Sequence, residues 1–140
     1  MGRVMIFVWL SIAAVVVVLG FIRLAPSDPL DWNTQPEFSE DRTFRGGVFR
    51  VMRTGESGLE RFHAVAANAP RTRVLAGSVE DQMITYVTRT RFIGFPDYTT
   101  ARQDGDLLKV YARLRFGRSD LGSNNDRISG WIAQMEGAAQ

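Results

Sequence analysis

The chain contains no cysteine and a single histidine among 140 residues. Without cysteine there is no disulfide framework, no thiolate nucleophile, no cysteine-based zinc or iron–sulfur centre and no lipid-modified thiol. One histidine leaves no pair to hold a metal. A basic excess is also lacking: the formal net charge is only +2, although the sequence pI is near 9.5. Residues 1–23 contribute that +2 through Arg3 and Arg23, residues 24–46 sum to −3, and residues 47–140 to +3. A nucleic-acid binder concentrates a larger basic excess on one face, so no nucleic-acid partner is expected. No cofactor or metal is expected either. The length allows one domain of ordinary size.

One long apolar run is present. Val4 to Ile22 carries no charge, and only Ser11 and Gly20 fall outside the apolar and aromatic residues. Nineteen helical residues rise about 28 Å, close to a hydrocarbon core of about 30 Å. The segment Arg23-Leu24-Ala25-Pro26 lacks the small-x-small pattern of a signal cleavage site, which favours an uncleaved anchor. The run lacks a Gly-xxx-Gly pattern, so nothing specifies helix dimerisation. The bilayer, through residues 4–22, is the first expected partner. A short cytoplasmic N-terminus with the domain outside is the favoured orientation, which in a bacterium means the periplasm.

Residues 24–46 carry Pro26, Pro29 and Pro36 and five acids against Arg42 and Arg45. Prolines at this spacing disfavour helix, and the segment is expected to be an extended spacer. Trp32, Phe38 and Phe44 also allow it to dock on the domain or at the bilayer interface.

The domain, residues 47–140, reads as strand (48–53), helix (58–69), strands at 71–78, 82–92, 95–103 and 106–116, then helix (126–136). Ser57 and Glu60 fit a capping box. Leu59, Phe62, Ala66 and Ala69 share one face of the first helix, with His63 one residue off it, and Pro70 stops it. Asp104-Gly105 marks a hairpin turn. Leu108, Val110, Ala112, Leu114 and Phe116 alternate with Lys109, Tyr111, Arg113 and Arg115, which predicts one core face and one polar face. Ile128, Trp131, Ile132 and Met135 form a helical stripe. The expected fold is α+β: an N-terminal transmembrane helix, then a small two-layer antiparallel sheet with two helices packed on one face.

The stretch Arg113 to Arg127 holds Arg115, Gly117, Ser119, Asp120, Gly122, Asn124 and Arg127, and Arg91 and Phe95-Pro96-Asp97 lie upstream. This pattern resembles a signature of an uncharacterised bacterial family, domain of unknown function 1499, over roughly residues 58–136. Tyr98 stands where the family often has a second acid, and a Cys-containing entry segment is missing. The resemblance implies a small α+β domain, often tethered by an N-terminal helix, and implies no known reaction.

The polar cluster Asp97, Ser119, Asp120, Asn124 and Arg127 reads first as structural. Ser119 or Asp120 caps the loop, Gly122 supplies a positive φ, Asn124 caps the last helix, and Arg127 pairs with Asp97 or Asp120. Arg89, Arg91, Arg113 and Arg115 share strand parity. If their strands are adjacent they form a patch that binds carboxylate or phosphate, or an acidic partner surface. The alternative is a solvated face paired with Glu80, Asp81 and Asp104. An enzyme is the weakest reading, because Ser119 lacks a neighbouring base, and arginines would hold an Asp97–Asp120 pair ionised. The favoured expectation is a binding or accessory domain at the bacterial inner membrane, supporting a membrane protein complex or docking a partner near the bilayer. Recognition of an anionic ligand or lipid headgroup by the arginine face is the alternative.

Overall fold

A computed structural model describes residues 2–140. Helix α1 (Gly2–Leu24) is apolar on every side, and none of its residues is buried. It is long and apolar enough to cross a membrane. Its last carbonyls hand over to Ala25, whose N–H bonds Phe21 O at 2.7 Å and whose side chain is buried.

The domain is an α+β fold built on one antiparallel sheet. Six strands, β1 (Arg42–Phe44), β2 (Gly47–Arg53), β3 (Thr72–Ser78), β4 (Met83–Arg89), β5 (Pro96–Asp104) and β6 (Leu107–Leu114), lie in the order β1-β2-β6-β5-β4-β3. Helices α3 (Gly58–Ala66) and α4 (Ser123–Gly137) pack together on one face. Cross-strand pairs put Val48, Leu108, Val110, Ala112, Ala101, Ile84 and Tyr86 on that face. Leu59, Phe62 and Ala66 of α3, with Ile128, Trp131 and Met135 of α4, close the core above them. Phe62 meets Tyr86 and Trp131 edge-on, with centroids 6.2 and 5.8 Å apart. The period-2 and period-3.6 patterns are thus both satisfied against one another.

The turns follow local chemistry. Gly105 takes φ +60° in the two-residue loop that pairs Asp104 with Leu107. Gly47 has no room for a side chain, because a Cβ there would run into the carbonyl oxygen of Ala112. Ser57 sits at the N-cap of α3 but its hydroxyl makes no cap bond, so the capping box does not form. The Leu59 N–H is taken instead by Gln103 Oε1 at 2.8 Å, across the helix–sheet interface.

The largest departure from expectation concerns residues 24–46. They form a strap across the second face of the sheet, with a short helix α2 (Pro29–Trp32) and strand β1 in it. The Trp32 ring stacks on Tyr98 at 3.9 Å and 13°. Gln35 Nε2 donates to the carbonyls of Thr100 and Lys109 at 2.9 and 3.1 Å. Glu37 receives both of its bonds from Arg102, and Phe38 packs on Phe49. The strap runs from the α1 end of the sheet to its far end, then returns as β1. The face carrying Lys109, Tyr111 and Arg113 is therefore covered, and Lys109 and Arg113 are each only 7% exposed. Phe49, Tyr98 and Tyr111 share that face and supply an aromatic floor that a solvated face does not need.

Candidate functional site

Arg113 is the centre of the strap contact. Its guanidinium donates to Trp32 O at 2.6 Å and Thr100 Oγ1 at 2.7 Å. It lies 4.5 Å from the Tyr111 ring centroid and 5.6 and 5.9 Å from those of Trp32 and Tyr98. Burial pushes the guanidinium down to about 10, with Tyr111 and Tyr98 opposing the shift, so it stays charged at neutral pH. A buried cation is tolerable when carbonyls and π-faces surround it. Arg113 thus binds the chain's own strap and is buried there. Arg115 is similarly engaged: it donates to Pro26 O at 2.8 Å and to the Tyr98 hydroxyl at 3.2 Å.

The four arginines grouped by strand parity separate in space. β5 lies between β4 and β6, so Arg89 and Arg113 are not on adjacent strands. Arg91 falls beyond the end of β4, in an exposed turn. Glu80 and Asp81 make no ion pair with any of the four among the described residues; Asp104 instead pairs with Lys109 at 2.7 Å. That hydrogen bond holds the Asp104 carboxyl below the usual aspartate range.

The family-motif cluster assembles at the α1 end of the sheet. Arg127 Nη2 donates to Asp97 Oδ2 at 3.1 Å and Nη1 to Asn124 Oδ1 at 2.8 Å. This joins the Phe95–Asp97 corner to the start of α4, one of the two ties expected. Burial raises the Asp97 carboxyl above its ordinary range, Arg127 opposes that, and Asp120 adds to it. Gly122, not Asn124, is the N-cap residue of α4, and the Asp120 carboxylate before it accepts from Gly122 N at 3.0 Å and Asn124 N at 3.3 Å. Asn124 lies inside the first turn, fully buried. Gly122 takes the expected left-handed conformation, with φ +84°. The Ser119 hydroxyl accepts from Leu121 N at 3.2 Å. His63 Nδ1 pairs with the Tyr86 hydroxyl at 2.9 Å, a core partner. Nothing here orients a base on Ser119.

Beside this cluster a cavity of about 340 Å³ opens between the end of α3, β3, the end of β4 and the first turns of α4. Arg71, Arg89, Arg91 and Arg127 line it, with Trp131. Three of these four were named from sequence. Arg71 was missed, and its only signal is its place just after the helix-stopping Pro70. Among the described residues, no group of three or more His, Asp or Glu side chains is placed to hold a metal ion.

The same end of the sheet meets α1. Phe21 packs edge-on against Phe116, with centroids 6.3 Å apart. Arg23 lies over Gly94, where an added Cβ would sit 3.4 Å from its Nη1. Phe92, Ile93 and Leu121 project from the neighbouring loops and are 85%, 43% and 92% exposed.

No curated protein and no solved structure compared with the chain matches it. Residues 22–135 match a family described as a protein of unknown function, DUF1499. The match begins at the end of α1 and takes in the whole strap as well as the helix-and-sheet domain, which agrees with a strap that is part of the fold. The chain therefore belongs to the DUF1499 family.

Proposed function

We propose that the chain is a single-pass protein of a bacterial inner membrane, with a short cytoplasmic N-terminus and a periplasmic domain that works as a binding or accessory module at the bilayer surface. The observation that carries this reading is the packing of the 92–94 and 116 loops on the last turn of α1. With the strap docked on the sheet, the domain is not free to swing on a spacer. It holds one end against the plane where α1 leaves the lipid. Exposed Phe92, Ile93 and Leu121 lie at that end, where aromatic and aliphatic side chains gain from contact with the acyl–headgroup boundary. A module so placed presents its surfaces to membrane-borne partners and supports a membrane protein complex.

Two experiments test the proposal. An alkaline phosphatase fusion at the C-terminus is expected to be active, and an inactive fusion would overturn the periplasmic assignment. Affinity purification from membranes in mild detergent is expected to yield a stoichiometric membrane partner, and its absence would count against the accessory role. Anion recognition by the face that holds Arg113 loses support because the strap already occupies it.

A further inference from the structure

We infer that the cavity lined by Arg71, Arg89, Arg91 and Arg127 is a binding site for a phosphate group, carried either by a lipid headgroup or by a small phosphorylated molecule. The inference stands on the cavity's own geometry and does not depend on the domain lying against the bilayer.

Four arginine residues line this cavity, and only Arg127 has a carboxylate within 4 Å of its guanidinium among the described residues. That carboxylate, Asp97, is buried and is not among the residues that line the cavity. Each guanidinium carries five N–H donors in a rigid fork. Arg71 spends Nε on Arg89 O at 3.1 Å, and Arg89 spends one Nη on Gly94 O at 2.9 Å. Among the described residues the Arg91 side chain has no hydrogen-bond partner, and it rests 5.4 Å from the Phe92 ring centroid. The first two are thus held in position by backbone carbonyls with donors left over, and the third is free to close over an occupant. Thr90 adds a hydroxyl whose oxygen accepts from Phe95 N at 2.9 Å, which leaves its proton to donate.

Like charges gathered in this way repel one another, and a multiply charged oxyanion offsets the repulsion while satisfying several forks at once. A volume of about 340 Å³ corresponds to roughly eleven waters, enough for a phosphoryl group and part of what it is attached to. The N-terminus of α4 is not the basis of the site, since the Asp120 carboxylate already caps it. The arginines, with the Thr90 hydroxyl, carry the recognition.

The test uses the full chain reconstituted in nanodiscs of phosphatidylcholine, titrated with inorganic phosphate by calorimetry. Saturable binding is expected, weakened at least tenfold by Arg91→Gln and by Arg71→Gln and unchanged by Arg42→Gln on the opposite sheet edge. Arg91 is exposed and its side chain has no hydrogen-bond partner among the described residues, so its variant keeps the fold even if Arg71→Gln does not. A second arm repeats the titration in phosphatidylglycerol nanodiscs and follows retained lipid by native mass spectrometry. Retention of phosphatidylglycerol that Arg91→Gln abolishes assigns the site to a headgroup phosphate. Phosphate binding without such retention assigns it to a soluble phosphorylated molecule. Absence of both, or equal binding in wild type and Arg91→Gln, overturns the inference.

Discussion

Replacing Trp32 by alanine tests whether residues 24–46 belong to the fold. The ring stacks on Tyr98 at 3.9 Å and lies 5.6 Å from both the Arg113 and the Arg115 guanidiniums. A fully buried aromatic truncated to alanine costs about 3–5 kcal/mol. Trp32 is only partly buried, so about half of that applies, to which the stack on Tyr98 adds about 0.5–1.5 kcal/mol. The hydrogen bond from Arg113 ends on the Trp32 backbone carbonyl and survives the substitution, which caps the loss. The expected destabilisation is therefore about 2–4 kcal/mol in urea unfolding of the full chain. Hydrogen exchange should speed up in residues 25–40 and at the strand faces beneath them, while α3 and α4 change little. A loss below about 0.5 kcal/mol with unchanged exchange would show that the segment is a spacer after all, because surface substitutions usually fall within that range.

Two further outcomes follow from the motif cluster. Asp120→Ala removes the side-chain cap of α4 and should cost about 1 kcal/mol in urea unfolding, since N-cap losses typically do; no change would mean that the Gly122 turn alone sets the helix start. Asp97 holds its proton more tightly in the folded chain than in the unfolded one, because burial outweighs Arg127. This group accordingly makes the fold more stable as pH falls from its folded pKa toward the ordinary value of about 3.9. The stability of wild type relative to Asp97→Asn should rise in wild type's favour through that window. A relative stability that falls instead would mean the ion pair with Arg127 dominates.

Much of the architecture is legible in local pattern. Alternation from Leu108 to Phe116 marks a core face, the Ile128–Met135 stripe marks the helix that covers it, and Asp104-Gly105 marks the hairpin between. The tie from Arg127 to Asp97 and the positive φ at Gly122 follow from residue chemistry alone. The cap of α4 is displaced from Asn124 to Gly122, whose turn folds the Asp120 carboxylate back onto the first turn. What local pattern does not carry is pairing at a distance. Trp32 and Arg113 are 81 residues apart in sequence, and the strap has no periodicity of its own. Strict alternation also cannot separate a solvated face from one covered by an irregular segment. The traces of the cover are the aromatic residues Trp32, Phe38 and Phe44 of the segment itself, and Phe49, Tyr98 and Tyr111 on the face beneath it. The arginine patch depends on the same kind of pairing: it requires β4 and β6 side by side, and β5 separates them.

The central claim is that the loop end of the domain rests on the membrane where α1 emerges. The absence of native cysteine makes single nitroxide labels straightforward. Labels at Leu121→Cys and Ile93→Cys would be compared with one at Glu56→Cys, which follows Gly55, whose N–H bonds Asp106 O at the opposite end of the sheet, a β5 length of about 30 Å away. In lipid nanodiscs the first two should collide preferentially with oxygen, which partitions into lipid, and the third with a water-soluble nickel chelate. Equal, water-like accessibility at all three positions would contradict the account.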